Sequence, residues 1–524
     1  MRRLRWIAPL AFLPFITVLS ACSEDGSRTT TAGYDGGVDG DASGDGGGGH
    51  TPGPIVRSGS RLKAQVVGVE GDDGVFVAWF DTELDVPCAF DTAEDGKLRC
   101  LPTLPGNSPI GHTVDSCDDT PIVINFRPEC AEAAYLPEAR PSIDGVCSTP
   151  IRMYEVDERT APNGGYYDGS PDFCDGPREL PEGATYGDRG DAMPATAFVP
   201  GERVIDLYDG GFGVEAIEAE DGARAVTQFI DDRYGPCSFR DLSDGSAKCV
   251  PTHIAFTAST YYEDASCTTE LAYAAPVADA ACSKPVVAAL KVEFAEQGPP
   301  RYSAWKLGSA IGDSETVYAK SGENCTASTL AVEREAKPWL GSLYRVSATP
   351  LPMLTFETVT RGEGNPKVAY AATSEGIPLQ PGVFVRKNSA HAVAPFQLEG
   401  GAFCSPRRTT SGPIRCVPSL AAELPAYALR YTDAACTMPI GTPLPGTLPP
   451  EGAPTVMVLS NDEGCPISTW SGVEQAWTVG DAYTGAAYDK VSDDCVLGDD
   501  AEPGTYRLGD TVLDDFPELT LRLL

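Results

Sequence analysis

Histidine is scarce, four residues among 524, and no CxxC pair occurs. Zinc sites draw on His and Cys at short spacings, so both absences argue against a metal centre. Basic charge is scarce as well: 39 Lys and Arg stand against 75 Asp and Glu, a net charge of −36. Such a surface repels phosphates, which excludes nucleic acid as a partner, and it suits solubility outside the cell. Only one long apolar run is present, the 14 residues from Trp6 to Leu19, and Pro9 and Pro14 interrupt it. A membrane-spanning helix needs about 20 apolar residues, so the run is too short to be a permanent span. Catalytic signatures are missing too: no HExxH, no phosphate-binding loop, no GxGxxG after a strand and no GxSxG. His112, His253 and His391 carry no motif around them. No catalytic residue and no cofactor is therefore nominated. A carboxylate pair for glycoside hydrolysis stays open, because so many acids leave no way to choose one.

What is present begins with an export signal. Met1-Arg2-Arg3-Leu4-Arg5 is positive, the apolar run follows, and it ends Leu19-Ser20-Ala21-Cys22. That ending resembles the lipobox of bacterial lipoproteins. The resemblance implies cleavage after residue 21, acylation of Cys22 and a stable membrane tether, since several acyl chains hold where one does not. Removing Arg2, Arg3 and Arg5 with the signal takes the charge to −39. Ser23 in place of Asp favours the outer membrane. Residues 22–54 form a Gly/Asp-rich linker with little to bury, predicted to be disordered. Asp39, Asp41, Ser43 and Asp45 imitate the start of an EF-hand loop, but His50 stands where its bidentate Glu belongs.

The body is a threefold repeat. Cys88 and Cys100, Cys237 and Cys249, and Cys404 and Cys416 share one spacing. Gly96, Gly245 and Gly412 each precede the second cysteine by four residues. Arg99, Lys248 and Arg415 directly precede it, and Leu101-Pro102, Val250-Pro251 and Val417-Pro418 follow. Phe80, Phe229 and Phe396 stand eight residues before the first cysteine. Downstream come Cys117, Cys267 and Cys436, then Tyr167, Tyr318 and Tyr488 seven residues ahead of Cys174, Cys325 and Cys495. The recurring aromatics are read as core. The repeats span about 57–200, 201–358 and 359–524. Runs such as Val75-Phe76-Val77-Ala78-Trp79-Phe80, with 55 glycines and 45 prolines, make each repeat β. The glycine before the second cysteine would turn a hairpin whose strands the cysteines staple.

Setting Cys22 aside leaves 16 cysteines in an exported chain, so disulfides are expected. The second repeat lacks the fifth cysteine position and the third lacks the fourth, so those two positions are taken to pair. The predicted bridges are Cys88–Cys100, Cys117–Cys174, Cys130–Cys147, Cys237–Cys249, Cys267–Cys325, Cys404–Cys416 and Cys436–Cys495. Cys282 and Cys465 are left over, either bridging the second and third repeats or remaining as thiols.

The fold class is all-β: three tandem disulfide-braced repeats of about 150 residues. Two assemblies fit, a six-bladed propeller of two blades per repeat or separate β domains in a row, and the short joints favour a closed ring. The lipobox, the Gly/Asp spacer, Arg61-Leu62-Lys63-Ala64 and Arg99-Cys100-Leu101-Pro102 together resemble uncharacterised cysteine-rich surface lipoproteins of myxobacterial type. That resemblance implies location and class only. Arg189-Gly190-Asp191 matches an adhesion tripeptide, but chance explains it in a chain rich in Gly and Asp. Trp305, Trp339, Trp470 and Trp477 could stack on sugar rings, although core packing is the simpler role. The first functional expectation is a non-catalytic binding or adhesion module on the cell surface, its partner a polysaccharide or envelope protein. The alternatives are an extracellular hydrolase and a structural envelope protein.

Overall fold

The computed structural model describes residues 56–524, leaving aside 70–73, 105–109, 112–116, 118–121, 126–132, 141–147, 160–164, 171–172, 180–183, 209–211, 242–246, 275–285, 294–300, 323, 338–339, 354, 362–366, 373–377, 382–395, 400–402, 410–411, 419–420, 445–454, 462–471 and 492–493. The regular structure of the described residues is nearly all β, with one short α-helix, Leu330–Ala336. The lipobox, the linker, Cys130, Cys147, Cys282 and Cys465 lie outside the described residues.

Each repeat opens on an antiparallel meander that ends in the Cys-x11-Cys hairpin. In the first repeat its strands are Leu62–Gly68, Val75–Asp81, Val86–Thr92 and Leu98–Pro102. In the second they are Phe212–Ala219, Arg224–Asp231, Gly235–Asp241 and Ala247–Pro251. In the third they are Lys367–Ala372, Phe396–Gln397, Phe403–Arg408 and Ile414–Pro418. The recurring glycine closes the last turn: Gly96 N–H donates to the Ala93 carbonyl at 2.9 Å, and Gly412 N–H to Thr409 at 3.0 Å. Their φ values of +74° and +112° lie where a β-carbon is costly, which is why these two copies carry glycine there; Gly245 lies outside the described residues. Cys88 sits opposite Pro102 and Cys100 opposite Phe90, so the two sulfurs are diagonal neighbours on one face. The three staples hold their Cα atoms 5.2–5.3 Å apart and are fully buried.

The repeats are joined by strands that neighbours share. Chain leaving the first repeat bridges Arg99 at Pro200, with Cys100 N–H donating to the Val199 carbonyl at 2.9 Å. It then runs on as Gly201–Tyr208, paired along its length with Phe212–Ala219 of the second repeat. Thr355–Arg361 repeats the arrangement, first against Ala247 and Lys248, then against Lys367–Ala372. The last strand, Glu518–Leu523, pairs first with Arg415 and Ile414 and then with Gln65–Gly68 of the first repeat. The hydrogen-bonded order therefore returns to its start. No closed propeller is shown, and the repeats are not beads in a row. Propeller blades are separate radial sheets, whereas here the meanders of neighbouring repeats belong to one ladder. The expected limits at 200/201 and 358/359 fall at or within the shared strands.

The seams between neighbours are the core. Trp79 and the Cys88–Cys100 bridge pack with Leu62 and Val199 against Ala219, Ala223 and Ala225 of the second repeat. Phe396 and the Cys404–Cys416 bridge pack with Leu519 against Val67 and Val75 of the first. One expectation is corrected here. Phe229 faces Cys237, Phe396 faces Cys404, and both are buried, but Trp79 and not Phe80 faces Cys88. Phe80 is half-buried opposite Pro87. The turn between the two strands holds four residues in the first repeat and three in the second, so counting back from the cysteine slips by one. Two places beyond the buried aromatic stand Asp81 and Asp231, each with no exposure. Arg61 donates twice to Asp81 at 2.7 Å, and Arg233 donates to Asp231 at 2.9 and 2.7 Å.

The second half of each repeat forms an outer sheet and a hairpin carrying the late cysteine. In the second repeat the outer strands Ile254–Tyr262, Ala288–Glu293, Arg301–Ala310, Ser342–Pro350 and Glu270–Ala274 pair in that order and back to the first. The others form partial barrels on the same plan. Cys117–Cys174, Cys267–Cys325 and Cys436–Cys495 tie the hairpins down. The third cysteine of each repeat has a φ of about +50° (49°, 51° and 49°), a left-handed conformation rare outside glycine. Beside it, Asp264 accepts hydrogen bonds from Ser266 Oγ and the Thr269 N–H, and Asp433 from Thr437 and the Met438 N–H. These bonds lower both carboxyls from the ordinary aspartate range, Asp264 the more strongly. Tyr167, Tyr318 and Tyr488, expected as core, are half-buried.

We expect Trp79→Ala to cost about 3–5 kcal/mol and Phe80→Ala less than about 2 kcal/mol in denaturant unfolding. Equal losses would contradict the register of these two strands.

Candidate functional site

Strand register lets the outer sheets be compared residue by residue. Tyr154 lies opposite Leu136, Trp305 opposite Ala289 and Trp477 opposite Met457. Two residues further along the same strands, and so on the same face, Glu138 lies opposite Arg152, Lys291 opposite Ser303 and Leu459 opposite Gln475. Thr257 pairs with Lys291 where Leu424 pairs with Leu459. Glu270 pairs with Tyr262 where Pro439 pairs with Tyr431.

At this rim the repeats differ in kind. In the third, Leu424, Met457, Leu459, Trp477 and Leu508 make one sealed apolar cluster. In the second, the matching positions hold Thr257, Ala289, Lys291, Trp305 and Val346. Lys291 Nζ stands 3.4 Å from Glu270 Oε2, both partly exposed. Thr257 Oγ1 is enclosed without a hydrogen-bond partner among the described residues. Trp305 is half-buried, whereas Trp477 and Tyr154 are 4% and 7% exposed. In the first repeat, Glu138 accepts from Tyr154 Oη at 2.7 Å and from Arg189 and Arg140 at 3.1 Å each. The Arg189 guanidinium covers the Tyr154 ring at 4.7 Å from its centroid. The rims of the first two repeats therefore carry charged side chains, whereas among the described residues the third places an apolar cluster there, with Gln475 the polar neighbour of Leu459.

The other candidates are placed as follows. Arg99 is buried, paired with Asp95, and donates to the Phe198 carbonyl at 2.7 Å. Arg415 makes the matching bond to Phe516 at 3.0 Å. The recurring basic residue thus ties the end of a repeat to its own hairpin in the first and third repeats. Lys248 is half-buried. Arg189-Gly190-Asp191 lies within the strand Thr185–Ala192, its arginine engaged by Glu138 and Tyr154, which is no geometry for a protruding adhesion loop. Trp477 is core. His253 is half-buried beside Thr252 Oγ1 at 3.3 Å. His50, His112, His391, Trp339 and Trp470 lie outside the described residues. Among the described residues no three metal-ligating groups come together.

Sequence reading missed Thr257, Glu270, Lys291 and Glu138, because their equivalence exists only in the register. A signal was available: Ala304-Trp305-Lys306-Leu307-Gly308-Ser309-Ala310 and Ala476-Trp477-Thr478-Val479-Gly480-Asp481-Ala482 are the same strand.

The chain belongs to a family of unknown function (DUF7481), whose model matches residues 47–339, more than half its length. That stretch takes in the charged residues of the first two rims, Glu138, Arg189, Glu270 and Lys291, and stops short of the third repeat. No curated protein and no solved structure matches the chain.

The contrast between rims is open to test by exchange. Lys291→Met should cost roughly 1 kcal/mol or less, since its ion pair is partly solvated. Leu459→Lys should cost about 3 kcal/mol or more, because Pro439 leaves the buried ammonium no carboxylate. Denaturant midpoints would decide, and a cheap Leu459→Lys would refute the sealed third rim.

Proposed function

We propose that this protein is a surface lipoprotein, anchored at Cys22, whose body is a non-catalytic binding module for an envelope polysaccharide or envelope protein. One observation carries the reading. A single disulfide-braced frame occurs three times, while the rim of its outer sheet changes from charged in two copies to sealed in the third. Varying the side chains at one place on a constant, rigid scaffold is how binding surfaces are diversified, because a pre-ordered backbone lowers the entropic cost of binding. The charged groups of the rims lie in ion pairs, an arrangement suited to recognition by hydrogen bonding. The lipobox and the Gly/Asp linker support a tethered location, and the Ser after Cys22 favours the outer membrane.

The test uses the soluble body, residues 54–524, with its disulfides intact. It is passed over bacterial polysaccharides, peptidoglycan and outer-membrane extracts, with retention and released products both followed. We expect retention without product. Release of product would replace the binding reading with a hydrolase, and no retention by any matrix would leave a structural role.

A further inference from the structure

The geometry points to the rim of the second repeat's outer barrel as a binding site for a neutral pyranose sugar, with Trp305 as its stacking face. The inference rests on the binding-module reading and names the ligand class of one rim.

A pyranose offers an apolar C–H face and a ring of hydroxyls, so its recognition needs an open aromatic ring beside paired donors and acceptors. Among the described residues, the second repeat is the one rim where both are present. Trp305 stands half-buried opposite Ala289, where the third repeat fills the space across from its tryptophan with Met457. On the same face lie the Lys291–Glu270 pair, an ammonium and a carboxylate 3.4 Å apart and both reachable from solvent. Thr257 pairs with Lys291 in the ladder, and its enclosed Oγ1 has no partner among the described residues. Lys291 and Glu270 already neutralise each other, so a neutral ligand leaves neither charge exposed where a charged one would displace its partner.

The sister rims show why the site is single. In the third repeat Leu424 and Leu459 occupy the places of Thr257 and Lys291 and seal the rim. In the first, the Arg189 guanidinium already lies on the Tyr154 ring and Glu138 is saturated by Tyr154, Arg189 and Arg140. In the second, Val346 pairs with Leu307 in the register that Arg189 and Val156 hold in the first, so no cation covers the aromatic face from that position.

The experiment titrates the body, residues 54–524 and isotopically labelled at indole nitrogen, with the methyl glycosides of glucose, galactose and N-acetylglucosamine. The Trp305 indole signal is identified as the one lost in Trp305→Phe. We expect at least one glycoside to shift that signal in a saturable way, and Thr257→Leu/Lys291→Leu to weaken the binding at least tenfold. That double variant carries the third repeat's own residues, and thermal unfolding reports whether it folds; Lys291→Met is the second variant should it not. No shift of the Trp305 signal by any of the three glycosides overturns the proposal, and so does undiminished binding by the variants. Polysaccharide retention that survives sealing of this rim keeps the binding module and removes this site. A Trp305 shift without polysaccharide retention does the reverse.

Discussion

Every repeat gives the end of its chain to the next repeat's ladder, and the rest of the structure depends on that exchange. Glu518–Leu523 is the instructive case, because it carries chain from the third repeat onto Gln65–Gly68 of the first. A ladder hydrogen bond contributes only about 1 kcal/mol net. The shared strand also brings two sheets close enough to bury the aromatic, the disulfide and the small residues of the seam, and that burial stabilises the joint more than the ladder does. The staples act on the same place. Each closes a short loop and stabilises the hairpin that the shared strand must meet, by about 3 kcal/mol in the chain-entropy account. Position by position, the recurring sequence is the machinery of this joint: glycine for the turn, cysteine for the staple, arginine for the tie to the repeat's end.

Much of this was legible, because a threefold repeat turns one sequence into three observations. The hairpin glycines, the persistence of four cysteine positions and the β character all follow from comparing copies. Legibility failed where the copies differ by insertion. A single extra residue before Val86 moved the buried aromatic from the place of Phe80 to Trp79, and no count along the chain could reveal it. The propeller expectation failed for a related reason. Eight strands per repeat suggest two similar blades, but the two halves have different partners: the meander pairs across repeats and the outer sheet pairs within one. Strand number can be read from a sequence, whereas the partner of a terminal strand is a long-range fact.

The candidate site was the least legible part. Lys291 and Leu459 share no motif and sit at different distances from their nearest cysteines, so only the register on Trp305 and Trp477 makes them equivalent. Their contrast carries the functional argument. The residues that recur hold the body together, and those that vary at one fixed place are free to specify a ligand.

The central claim is that the three repeats are one hydrogen-bonded unit closed by the last strand. The direct test is hydrogen exchange in the first repeat after removal of residues 518–524. The amides of Val75–Asp81 and Val86–Thr92 make no bond to the deleted strand, so they report on closure itself. The account predicts that their protection falls although no residue of the first repeat has changed. Protection equal to that of the intact body would contradict it and leave three repeats that stand alone.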